Sequence, residues 1–124
     1  MGIDTSAVEP HREAKSVSAE TTMAIDVDDE GLLVKELRRL SEGVSARLRR
    51  SQLMGRTITL RLRLSDFTTF TRRRTLPEAT DSQEVIYNAA YELLMVELAP
   101  GRRFRLIGVG VTNFPRSRQL TLLS

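Results

Sequence analysis

The run "TITLRLRL", Thr57 to Leu64, alternates polar and apolar residues without a break. Successive side chains of a strand point to opposite faces, so Ile58, Leu60, Leu62 and Leu64 share one side. Thr57, Thr59, Arg61 and Arg63 share the other. A helix would scatter the leucines around its circumference; only a strand of a half-buried sheet gives them a common core. "SDF", Ser65 to Phe67, supplies a turn, and Thr68 to Leu76 predicts a returning strand that Pro77 ends. The hairpin carries Arg61, Arg63, Arg72, Arg73 and Arg74, with Asp66 as the one acid near them in sequence. Like charges on neighbouring strands repel, so an exposed sheet normally mixes signs or uses neutral residues. A face this basic points to a ligand that brings negative charge, and a nucleic-acid backbone fits.

The flanking segments supply the partners such a sheet needs. "KSVSAETTM", Lys15 to Met23, has the alternating, β-branched character of a first strand. The acids Asp26, Asp28, Asp29 and Glu30 precede a helical stripe of Leu33, Leu37, Leu40, Val44 and Leu48. Acids at its start and Arg47, Arg49 and Arg50 at its end suit the helix dipole, and Gly55 is expected to stop it. "TDSQ" reads as a capping box with Thr80 at the cap and Gln83 three residues on. The helix behind it presents Val85, Ile86, Ala89, Ala90, Leu93 and Leu94 to the core, and "APG" (Ala99 to Gly101) closes it. A last strand runs from Arg103 to Phe114, where Gly108 and Gly110 predict a bulge or a close approach. The order is β-α-β-β-α-β, an α/β (α+β) domain with a four-stranded, mainly antiparallel sheet and two helices on one face. Residues 1–14 read as a linker, 15–114 as the domain and 115–124 as a tail.

Charge sharpens the expectation. Of 19 basic residues 17 are arginine, and the second half of the chain, residues 56–124, carries 11 basic against 6 acidic side chains. Arginine's planar fork matches phosphate better than the lysine ammonium does. Chemistry is hard to assemble here. His11 is the one histidine, cysteine is absent, and "GVG" sits inside a strand rather than opening a helix. The carboxylates at 26–30 read as helix N-terminal charge rather than as metal ligands, so no catalytic or metal residue and no cofactor is assigned. No signal peptide or membrane-length apolar run is present, which gives an expectation of a cytoplasmic, monomeric binding module.

"KSVSAETT", "SARLRRSQLMGRTITLRLRLSDFTTFTRRRTL" and "RRFRLIGVGVTNF", in that order and spacing, resemble the little-finger domain of Y-family DNA polymerases, of the bacterial polymerase IV type. The resemblance covers roughly residues 3–124. It implies a sheet whose open face lies along the major groove and grips primer–template duplex during translesion synthesis. It assigns DNA contacts to Lys15, Ser16 and Ser18 and to Thr71, Arg72, Arg73 and Arg74; strand alternation adds Arg61 and Arg63. Alternation also puts Arg72 and Arg74 on the face opposite to Arg73. The tail "QLTLL" resembles the family's sliding-clamp peptide, matching at Gln119, Leu120, Leu122 and Leu123, with leucine where phenylalanine is common.

In that family the metal-binding carboxylates that hold Mg2+ belong to a palm domain preceding this one, and nothing in the sequence resembles it. The chain is therefore expected not to polymerise by itself, and to act as a fragment of a longer polymerase with its catalytic core in cis. Met1, opening inside linker-like sequence, fits that reading. The rival readings are a free-standing protein-interaction module that binds only the clamp, and an RNA-binding sheet. The latter normally displays aromatic rings, for which Phe70 and Phe104 are the candidates.

Overall fold

The apolar stripe Leu33, Leu37, Leu40, Val44 and Leu48 lies fully inside the molecule, along one side of a 21-residue helix. The computed structural model describes residues 16–115. Its elements run β1 (Ser16–Val27), α1 (Glu30–Arg50), β2 (Gly55–Leu64), β3 (Thr69–Thr80), α2 (Gln83–Glu97) and β4 (Phe104–Thr112). All pairings are antiparallel and the sheet order is β1-β4-β2-β3, so the α+β class and the β-α-β-β-α-β order are as expected. Helix α1 packs over β1 and β4, and α2 over β2 and β3. Both helices lie on the side of Ile58, Leu60 and Leu62, which are completely buried. That arrangement follows from supply: two helices bring two apolar stripes, and one sheet face covers both.

Several element ends differ from the sequence expectation, each for a local reason. Strand β1 runs four residues beyond Met23, because Val27 still pairs with Phe104 after an irregularity that starts at Thr22. Helix α1 ends at Arg50, not at Gly55. The Ser51 amide returns to the Arg47 carbonyl, and Gln52 takes a left-handed φ of 57° that turns the chain away. Gly55 instead opens β2. A Cβ there would lie 2.4 Å from Val111 Cγ1 and 2.7 Å from the Thr112 carbonyl oxygen, so close approach rather than helix termination explains this glycine. Pro77 does not end β3, which continues to Thr80. The strand is at the sheet edge, where a missing N–H costs no ladder bond, and the register slips between the Thr57–Thr75 and Gly55–Thr80 pairs.

The cap of α2 is Ser82 rather than Thr80. Ser82 Oγ accepts from the Val85 amide at 3.3 Å, while Thr80 Oγ1 accepts from the Ser82 amide one step earlier. Val85 is exposed, and Tyr87 and Glu97 are buried in addition to Ile86, Ala89, Ala90 and Leu94. Strand β4 spans Phe104–Thr112, shorter at both ends than expected. Its register is unbroken through Gly108 and Gly110, so of the two roles expected for these glycines the close approach holds and the bulge does not. Three of the acids before α1 hold partners. Asp29 caps the helix by accepting from the Leu32 amide, Asp26 pairs with Arg105 and Asp28 with Arg103.

Lys15 and the linker 1–14 lie outside the described residues, as do Gln119, Leu120, Leu122 and Leu123 of the tail. No helix among the described residues is long and apolar enough to cross a membrane.

Candidate nucleic-acid interface

Register decides which arginines look away from the helices. Thr57, Thr59, Arg61 and Arg63 of β2 face outward because Ile58, Leu60 and Leu62 between them are in the core. Their partners on β3 are Thr75, Arg73, Thr71 and Thr69, and directly paired residues share a face. On the other side β4 offers Thr112, Gly110, Gly108 and Leu106, and beyond it β1 offers Ser16, Ser18, Glu20 and Thr22. The open face thus carries hydroxyls, one leucine and one carboxylate, with two bare glycines at its centre and three guanidinium groups at one side.

The glycines shape this field. A Cβ on Gly110 would lie 2.7 Å from Thr59 Oγ1 and 3.1 Å from Ser18 Cβ, and one on Gly108 3.0 Å from Glu20 Cβ. Without those carbons the middle of the sheet sinks into a hollow of about 200 Å³. Ser16, Ser18, Glu20, Thr59, Arg61, Thr71 and Arg73 stand around it. Five elements of the sequence expectation therefore meet at one place: Ser16, Ser18, Arg61, Thr71 and Arg73. Arg63 is at the end of the same face, where its Nε donates to Thr69 Oγ1 at 2.9 Å. Arg73 makes no hydrogen bond or ion pair with any described residue.

Arg72 and Arg74 belong to the opposite side. They pair with Leu60 and Ile58, whose side chains are in the core, and they reach over the sheet edge to α2. Arg72 Nε donates to Glu97 Oε2 at 2.9 Å, and Arg74 pairs with Glu92. Glu97 also receives Arg102 Nη1 at 3.1 Å, and both guanidinium groups lie over the Phe70 ring. Strand alternation, which separates Arg72 and Arg74 from Arg73, holds. What alternation alone does not supply is that helix α2 provides the counter-charges for the first two.

Glu20 is the residue that sequence reasoning missed. Asp66, the acid nearest to the arginines in sequence, sits in the β2–β3 turn. There its carboxylate accepts from the Thr68 amide at 2.9 Å, and that bond holds its pKa below the ordinary carboxylate range. The acid that does face Arg61 comes from β1, 41 positions upstream, and approaches it to 3.9 Å across Gly108. Alternation within "SVSAETT" placed Glu20 on one face with Ser16 and Ser18; only the strand order brought that face beside Arg61.

Phe104 is fully buried, and Phe70 packs on the core side opposite Leu62. The strand-paired positions of the open face carry no aromatic ring, so the base-stacking platform of a sheet-type RNA reader is not built here.

The profile of the impB/mucB/samB family C-terminal domain matches residues 14–122, almost the whole chain. The chain belongs to that family. It is the little-finger type of domain found in Y-family DNA polymerases, as the sequence resemblance implied. Relatives of this impB/mucB/samB domain include DNA polymerase IV 1 of Mesorhizobium japonicum, 46% identical over 112 residues, which cover 90% of this chain and 25% of that protein. DNA polymerase IV of Brucella melitensis is 45% identical over 116 residues, covering 94% of this chain and 26% of the relative. The chain thus spans about a quarter of the length of these relatives.

Among solved structures, the little-finger domain of PolIV in a complex with the beta-clamp processivity factor has the same fold. Its TM-score is 0.66 at 24% identity, with 81% of this chain and 89% of that one covered. An insertion ternary complex of Dbh DNA polymerase matches with a TM-score of 0.70 at 18% identity, over 80% of this chain and 28% of the other.

Proposed function

We propose that this domain grips duplex DNA by its phosphate backbone, as the non-catalytic DNA-binding part of a polymerase IV-like translesion enzyme. The observation that carries the reading is the sheet face that no helix covers among the described residues, where Arg61 and Arg73 stand beside a glycine-floored hollow ringed by Ser16, Ser18, Thr59 and Thr71, and Arg63 lies farther along the same face. Guanidinium groups and hydroxyls donate to phosphate oxygens, and such contacts fix position without reading sequence. The missing side chains at Gly108 and Gly110 let a sugar–phosphate ridge come close to the sheet. Lys15, next to Ser16 in sequence, is counted as a further phosphate contact on the family resemblance. Arg72 and Arg74 are assigned to the fold rather than to the duplex, because they lie on the helix side of the sheet, where α2 supplies each with a carboxylate.

Replacing Arg61, Arg63 and Arg73 by alanine should weaken binding of a primer–template duplex at least tenfold at low salt. Replacing Arg72 and Arg74 should change it by less than about threefold, since no phosphate contact is lost. Equal losses from the two sets would reject the assignment of faces.

The tail supports a second contact. Gln119, Leu120, Leu122 and Leu123 match the clamp-docking peptide of the family, and the PolIV little-finger relative forms a complex with its beta clamp. Short extended peptides with spaced apolar anchors are an established recognition mode. Deleting residues 119–124 should abolish binding to a bacterial sliding clamp and leave duplex affinity as it was. Clamp affinity that survives the deletion would remove the tail from the reading. Polymerisation, the Mg2+ it requires and a palm domain in cis are assigned to the longer parent protein.

A further inference from the structure

Glu20 is the one carboxylate among the strand-paired residues of the sheet, and it lies on the open face. Its cross-strand partner is Gly108, which pairs in turn with Arg61 on the far side. A side chain at position 108 would separate the two charges; a Cβ there would be 3.0 Å from Glu20 Cβ and 3.6 Å from Arg61 Cβ. With glycine in that place, Arg61 Nη1 reaches to 3.9 Å from Glu20 Oε1, and no hydrogen bond joins them. Both side chains are about half exposed, at 52% and 51%.

An exposed pair of this kind contributes only about 0–1 kcal/mol to folding, so stability is a poor reason to keep a carboxylate on this face. Its neighbours on the same strand face, Ser18 and Thr22, show what a phosphate-friendly residue would be. A carboxylate beside the hollow sets a negative charge against the guanidinium that a phosphate would use.

We propose that Glu20 is a built-in competitor for Arg61, neutralising it while the face is empty and yielding it to a phosphate when duplex binds. The grip is then weaker, and let go more readily, than its three arginines alone would make it. A domain that must hold any duplex and also slide along it gains from that compromise. The inference rests on the open face being the DNA-binding face.

Duplex affinity of Glu20→Gln, Arg61→Ala and the double variant, measured beside wild type and Arg73→Ala, tests it. Glu20→Gln should bind primer–template duplex about 3–10-fold more tightly at low salt, with a log–log salt slope steeper by up to about 0.9. In the Arg61→Ala background the same substitution should gain less than about twofold, because the competition has been removed. Unchanged or weaker binding by Glu20→Gln, while Arg73→Ala still loses affinity, would overturn the competitor role alone. A full gain that persists without Arg61 would also overturn it, making Glu20 a general repulsive charge. If Arg61→Ala and Arg73→Ala both bind as wild type does, the open-face reading itself fails, and the role of Glu20 with it.

Discussion

Arg72, Arg73 and Arg74 are adjacent in sequence, yet the pleat of β3 gives them two different jobs. Arg73 pairs with Thr59 and faces the hollow, while Arg72 and Arg74 reach back to Glu97 and Glu92 on α2. Glu97 is only 7% exposed, so its charge depends on Arg72 and Arg102 for compensation. Removing one partner of a buried ion pair leaves desolvated charge behind. Arg72→Ala should therefore cost about 1–3 kcal/mol of folding stability, less than for a fully buried pair because Arg102 remains and Arg72 is half exposed. Chemical denaturation checks this, and a cost near zero would mean that Arg102 alone satisfies Glu97. Arg73→Ala should leave stability within about 0.5 kcal/mol of wild type, as for a surface residue with no partner among the described residues. The sequence separates the two sets by parity alone. It does not say which set is open, since that follows from Ile58 and Leu60 being covered by helices that lie elsewhere in the chain.

Elements were legible where a long periodic pattern has one interpretation. The stripe from Leu33 to Leu48 and the alternation from Thr57 to Leu64 both survive folding unchanged, because each is buried against a complementary surface. Element ends were not, because they depend on neighbours that the local sequence does not contain. Gly55 looks like a helix stop until Val111 and Thr112 are beside it; Pro77 looks like a strand stop until β3 is seen to be an edge. Gly55→Ala should accordingly destabilise the domain by about 1–3 kcal/mol through overpacking against β4, measurable as a lowered denaturation midpoint at unchanged m-value. A substitution with no effect would show that β2 can shift to admit the methyl group.

The β2–β3 turn makes a different kind of prediction. The bond from the Thr68 amide keeps the Asp66 carboxyl below its ordinary pKa, so ionised Asp66 favours the folded turn. A group depressed on folding contributes its stability above the unfolded-state pKa and loses it as pH falls through the lower, folded-state value. The Thr68 amide should therefore exchange relatively faster in acid below the ordinary carboxylate range, and Asp66→Asn should remove that pH dependence. Exchange protection that is flat across this range in wild type would contradict the role given to Asp66.

At the scale of the whole molecule, the domain is a sandwich with one slice missing. Among the described residues, two helices cover one face of a four-stranded sheet, and the other face is left to hydroxyls, arginines, Glu20 and a glycine hollow. The rival that sees this chain as a protein-interaction module alone leaves that asymmetry without a purpose. In a DNA grip, the phosphates take the side that the helices do not. The most direct test is fluorescence anisotropy of a labelled primer–template duplex over a salt series, comparing wild type with the Arg61, Arg63 and Arg73 triple alanine variant. A grip made by these arginines gives measurable low-salt binding whose log–log slope flattens by about 2–3 in the variant, close to 0.9 for each phosphate contact removed. Slopes that coincide for the two proteins, or no binding by wild type even at low salt, would contradict it.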